Sequence, residues 1–119
     1  MTEQGTPVDR GRRRHRRFSC SGQAEVVAFN PRMLFRGTVR DISSSGCFIE
    51  TCAHINLKRM AEVELQFTTR GVQLRSLARL MEIRPGKGAG FEFVPGDPRM
   101  DASFLQLIDS LKSEQAPDS

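Results

Sequence analysis

The stretch AEVELQFTT, Ala61 to Thr69, alternates without a break: Val63, Leu65 and Phe67 have one parity, and Glu62, Glu64 and Gln66 have the other. A period of two is the repeat of an extended chain, so this segment is a β-strand with one buried face and one wet face. Parallel strands are covered on both faces and read as continuous apolar runs. The alternation therefore predicts an antiparallel sheet with its core on one side.

Other segments fit that frame. AEVVAF (Ala24 to Phe29) is apolar and β-branched, and the following NPRM is a turn signal. LFRGTVRDI (Leu34 to Ile42) carries a central Gly37, which predicts a bulge or a close backbone approach. GCFIET (Gly46 to Thr51) resumes as a strand after a serine-rich loop and pairs with its predecessor as a hairpin. VQLRSLARLMEI (Val72 to Ile83) follows Arg70-Gly71, and its alternation shifts near Ser76 and Leu77, where a bulge is expected. GKGAGFEFV (Gly86 to Val94) supplies a turn and a last strand, while INLKRM (55–60) reads as a loop or a short helical turn. From Asp101 to Lys112, Phe104, Leu107, Ile108 and Leu111 recur at helical spacing, with Asp101 as N-cap and Lys112 at the C-terminal end of the dipole. Six short strands and one helix predict a mainly β chain, a small antiparallel barrel or sandwich whose helix covers one end or edge.

A chain of 119 residues has room for one domain. Residues 1–9 and 113–119 are expected to be disordered, leaving a single domain over 10–112. There is no apolar run long enough for a membrane span, and no apolar stretch follows the polar N-terminus as in a secretory signal, so a cytoplasmic location is expected. Cys20, Cys47 and Cys52 are odd in number, which favours reduced thiols. Cys47, Cys52 and His54 have no second pair to complete four ligands, so no metal is expected.

The basic character is concentrated. The net charge is +4, yet RGRRRHRRF, Arg10 to Phe18, holds six arginines, so the rest of the chain is slightly acidic. This flexible Arg-rich arm over 10–18 has three readings: a solvated tail, a nucleic-acid arm, or half of an anion site. A domain that grips long nucleic acid usually spreads Lys and Arg over a face of the fold, which makes nucleic acid the weaker partner here. No nucleophile elbow, phosphate loop or carboxylate pair suggests catalysis, His15 and His54 read as incidental, and no enzyme is expected. The loop DISSSG, Asp41 to Gly46, sets a carboxylate, hydroxyls and a glycine between two strands. Alone it is a hairpin turn. Beside a run of arginines it can recognise a ligand carrying both negative charge and a donor face.

At these residues the sequence resembles the PilZ family, whose signature is Arg-x-x-x-Arg ahead of the first strand and Asp/Asn-x-Ser-x-x-Gly after the second. Arg13 and Arg17 fit the first motif, with Phe18 as the apolar residue that follows; Arg12 and Arg16 form a second pair in the neighbouring register. Asp41, Ser43 and Gly46 fit the second in full. GTVRDISSSGCFIET, GAGFEF and the terminal helix extend the likeness from about Arg12 to Leu111, with Ser45 standing where many members have glycine. The resemblance implies a six-stranded antiparallel β-barrel with a C-terminal helix, a cyclic di-GMP ligand, no other cofactor, and a bacterial second-messenger role in motility, polysaccharide synthesis or virulence. With no output domain in the sequence, an unidentified downstream protein would receive the signal. Arg12, just before the first motif arginine, implies two ligand molecules as an intercalated dimer.

The chemistry of these side chains suits such a ligand. An arginine fork matches the O6/N7 edge of guanine or a phosphate, and its plane stacks on a purine. Asp41 would accept from guanine N1–H and N2–H₂, Ser43 would donate to a phosphate or base acceptor, and Gly46 would let the ligand approach the backbone. Two alternatives remain, a nucleic-acid-binding protein using the arm and a ligand-free interaction module of the same fold.

Overall fold

The computed structural model describes residues 17–95 and 102–115. Six strands run in order: β1 (Phe18–Phe29), β2 (Arg32–Ile42), β3 (Gly46–Glu50), β4 (Glu62–Thr69), β5 (Val72–Arg84) and β6 (Gly88–Phe93). One helix, α1 (Ala102–Glu114), follows. Every neighbouring pair is antiparallel, and the sheet closes on itself in the order β1-β2-β3-β6-β5-β4. Closure leaves no unpaired edge, which resolves the choice between barrel and sandwich.

Alternation drives the closure. Val26, Val39, Ile49, Leu65, Phe67, Leu74, Leu80 and Phe91 line the interior, and their neighbours in sequence face water. Arg70 and Gly71 both have positive φ, and Thr69 pairs with Val72, so β4 and β5 are joined by a two-residue turn whose twist suits the strands it links. The β1–β2 hairpin turns at the cis Asn30–Pro31 bond. Residues 55–60 form a loop without helix.

Three sequence expectations are corrected. First, β1 begins at Phe18, six residues before Ala24. Its first half, FSCSGQ, alternates only weakly, with small Cys20 and Gly22 inward between Ser19, Ser21 and Gln23, but it is held by backbone pairing with β2 on either side of an irregularity between Ser19 and Gly22, and Phe18 itself is 2% exposed within the core. Phe18 thus belongs to the barrel and not to the arm.

Second, no bulge lies at Ser76 and Leu77. The β4–β5 register runs unbroken from Val72 to Arg79, and the irregularity falls between Leu80 and Glu82 on the β6 side. Ser76 is a buried interior residue whose hydroxyl donates to the Leu77 carbonyl at 2.8 Å, so Leu74, Ser76, Ala78 and Leu80 keep one inward parity. A satisfied serine in the core looks like a register change when hydropathy alone is read. At Gly37 the close backbone approach holds and not the bulge: it pairs in register with Ala24, and a Cβ there would meet the Glu50 carbonyl oxygen.

Third, α1 runs to Glu114 and not Lys112, and Gln115 N–H still donates to the Leu111 carbonyl at 2.9 Å. Asp101 lies outside the described residues. Phe104, Leu107, Ile108 and Leu111 join the core, and Phe104 meets Phe93 edge-on at 5.4 Å between ring centres. The helix packs on β1 and β5. The start of β1, the end of β2 and the end of β6 share one end of the barrel, so α1 and the 43–46 loop lie at the same end.

Candidate functional site

The site begins with a pair of core residues. Phe18 on β1 and Ile42 on β2 face each other in the ladder and are both buried, which fixes their outward neighbours. Those neighbours are Arg17 and Asp41. They stand diagonally across the β1–β2 pair, within reach of a long side chain, and Arg17 Nη1 donates to Asp41 Oδ1 at 2.6 Å. β2 carries an extra residue between Val39 and Asp41 relative to β3, so Arg40 and Asp41 are both turned away from the core. Arg40 is engaged separately, by Glu50 at 2.9 Å.

The Arg17–Asp41 pair is open to water, its side chains 59% and 34% exposed. An ion pair this exposed contributes about 0–1 kcal/mol, so a ligand that satisfies both groups separates them at small cost. What remains is a positioned guanidinium fork beside a positioned carboxylate, a donor edge and an acceptor edge presented together.

Ser43 is 1% exposed, and its hydroxyl works within the loop. Its Oγ accepts from Ser45 N–H at 3.1 Å and Gly46 N–H at 3.2 Å, and lies 3.1 Å from Ser45 Oγ. Ser43 N–H in turn donates to the Gly46 carbonyl at 2.8 Å. Two loop amides and one carbonyl, of Ser45 and Gly46, are thereby satisfied by one serine. Gly46 begins β3 beside β6, and a Cβ there would run into the Phe91 carbonyl oxygen. Both motif residues thus shape the turn that follows Asp41.

Among the sequence-derived site residues, Arg17, Asp41, Ser43 and Gly46 come together at one end of the β1–β2–β3 surface; Arg12 and Arg13 lie outside the described residues. Sequence reasoning gave no role to Phe48, which stands directly opposite Asp41 on β3 and is half-buried. Its position outward between buried Cys47 and Ile49 was the available signal.

The thiols near the site are held protonated. Burial, and then the Asp41 charge, push Cys20 up to about 11, and burial raises Cys47 further. Neither is a thiolate at neutral pH. Cys52 is exposed. Among the described residues no group of three or more His, Cys, Asp or Glu side chains comes together to hold a metal, and no helix is long and apolar enough to cross a membrane.

The family model described as PilZ domain matches residues 11–110. Among solved structures, the crystal structure of the PilZ domain of CeSA from a cellulose-synthesizing bacterium is similar, with a TM-score of 0.67 at 20% sequence identity, over 82% of this chain and 98% of that one. No match is found among curated proteins.

Proposed function

The chain belongs to the PilZ domain family of cyclic di-GMP receptors, and we propose that it is itself a non-enzymatic receptor for that second messenger which relays its binding to a downstream protein. The observation that carries this reading is the 2.6 Å contact between Arg17 and Asp41, one residue from each half of the signature. A bare phosphate has no use for Asp41, which repels it. Guanine has, because its N1–H and N2–H₂ groups are donors, while its O6 and N7 accept from an arginine fork. A ligand with both guanine and phosphate satisfies the carboxylate and the guanidinium at once.

In this reading Arg17 leaves Asp41 for the ligand, Asp41 reads the base, and Arg12 and Arg13 meet phosphates and purine faces as the arginine segment closes over the barrel. Ser43 and Gly46 hold the loop so that Asp41 keeps its orientation. Two ligand molecules bind as an intercalated dimer, with Arg12 contacting the second. The signal passes through the barrel end that α1 shares with the site, whose outward surface changes when the segment closes.

Calorimetric titration with cyclic di-GMP tests the proposal. Micromolar or tighter binding near two ligands per chain supports it, and an absence of heat at those concentrations overturns it. Titrating an Arg13→Ala, Arg17→Ala double variant beside an Arg12→Ala, Arg16→Ala one identifies which register of the arginine motif grips the ligand.

A further inference from the structure

Of the other exposed carboxylate–guanidinium pairs, Glu82–Arg84 is the one that a row of facing residues connects to Asp41. Asp41 faces Phe48, Phe48 faces Gly90 and Gly90 faces Glu82, so these residues form one row across β2, β3, β6 and β5. Gly90 contributes no side chain to the row. A Cβ there would lie 3.3 Å from Glu82 Cγ and 3.5 Å from Glu82 Oε2, which means that the Glu82 side chain lies over Gly90. Its Oε2 accepts from Arg84 Nη2 at 2.9 Å. The Arg84 guanidinium carbon in turn sits 5.0 Å from the centre of the Phe48 ring.

Packing explains part of this arrangement, since an arginine over a half-buried phenylalanine shields it and gains a modest cation–π attraction. It does not explain why the row ends as it begins. Arg17–Asp41 at one side and Arg84–Glu82 at the other offer the same two groups, a planar donor fork and an acceptor carboxylate. Arg84 remains 59% exposed while resting on Phe48, so its guanidinium also presents a surface to solvent. Alongside runs an open groove of about 490 Å³ bordered by Phe48, Glu50, Arg84 and Lys87, which adds a further cation. Strands are spaced ~4.8 Å apart, so a base lying on Arg84 above Phe48 is one to two strand spacings from Asp41. Two bases on one small ring span that separation.

We propose that Phe48, Glu82 and Arg84 form a second purine subsite, in which a base of the cyclic dinucleotide stacks on the Arg84 guanidinium while Phe48 supports it from below and Glu82 holds it in place. The subsite rests on the cyclic di-GMP reading above and goes beyond it, because it assigns binding to residues outside both halves of the signature. Arginine suits the role and lysine does not, since stacking needs a planar, weakly hydrated cation.

The test is calorimetric titration of cyclic di-GMP into the full chain and its Arg84→Ala, Arg84→Lys, Phe48→Leu and Asp41→Ala variants, with thermal melts to establish that each is folded. Arg84→Ala is expected to weaken binding about tenfold or more, Arg84→Lys to restore little of it, and Phe48→Leu to give an intermediate loss. Binding that falls with Asp41→Ala but is unchanged by Arg84→Ala overturns the subsite and leaves the receptor reading intact. An Arg84→Lys variant as tight as the parent overturns it too, because charge alone would then account for Arg84. Absence of binding by the parent chain overturns both.

Discussion

The Gln115 side chain pairs with Ser19 as a neighbouring strand would: its Oε1 accepts from Ser19 N–H at 3.1 Å and its Nε2 donates to the Ser19 carbonyl at 2.8 Å. β1 has separated from β4 by this point, since their last paired residues are Gly22 and Thr69. The C-terminal end of α1 therefore completes the ladder where the sheet no longer does, two residues from Arg17. Glu114 adds an ion pair with Arg70 in the β4–β5 turn.

Gln115→Ala removes both contacts to Ser19. Net hydrogen-bond contributions of about 1 kcal/mol place the loss near 1–2 kcal/mol, since the site is partly wet. For a domain of this size that is a fall in Tm of roughly 4–10 °C, measurable by circular dichroism. If the barrel end relays ligand binding, the same variant shifts cyclic di-GMP affinity although Gln115 touches no proposed ligand group.

Ser43→Ala leaves the part-buried Ser45 amide and the buried Gly46 amide without their side-chain acceptor. Unsatisfied buried donors cost about 1–3 kcal/mol, and the urea midpoint is expected to fall accordingly. Loss of ligand affinity should accompany the loss of stability. A variant that keeps full stability but loses binding would assign the Ser43 hydroxyl to the ligand and not to the loop.

Gly46→Ala forces a methyl group toward the Phe91 carbonyl oxygen at the start of β3. Backbone must move, and overpacking of this kind costs about 1–3 kcal/mol. Denaturant unfolding measures it, with Gly71→Ala as a contrasting site where nothing lies within 4 Å and only the positive φ resists.

Stability should also fall on the alkaline side. Cys20 is raised from 9.0 to about 11 by burial and by the Asp41 charge, and Cys47 is raised by burial. A folded thiol that keeps its proton after the unfolded thiol has lost it makes the unfolded state the weaker proton binder, so stability declines as pH rises above about 9. Urea midpoints measured from pH 8 to 11 give the slope. A Cys20→Ala, Cys47→Ala double variant is expected to show a shallower decline, whatever its stability at neutral pH.

How much of this was legible in the sequence depended on whether side chains or backbone carried the signal. β4 was legible because Val63, Leu65 and Phe67 are all interior. The first half of β1 was not, because its inward residues Cys20 and Gly22 are small and its ladder is irregular between Ser19 and Gly22, so Ser19 is held by Asp41 on β2 and by Gln115, ninety-six residues away. Ser76 misled because a buried hydroxyl satisfied by the next carbonyl is indistinguishable in sequence from a surface serine. At the site, the motif spacing identified Asp41 and Arg17, and their contact is a consequence of Phe18 pairing with Ile42. The Arg84–Phe48 contact was out of reach, since it depends on β3, β6 and β5 being neighbours, an order the chain does not follow in sequence.

Calorimetric titration of cyclic di-GMP into the parent chain and Asp41→Ala at physiological salt distinguishes an Asp41 that reads a guanine edge from one that merely neutralises Arg17. A charge-assisted hydrogen-bonded contact to a base is worth about 1–3 kcal/mol, so the variant is expected to bind about tenfold or more weakly, although it loses a negative charge that repels phosphate. An Asp41→Ala variant that binds as tightly as the parent, or more tightly, would mean that Asp41 reads no base.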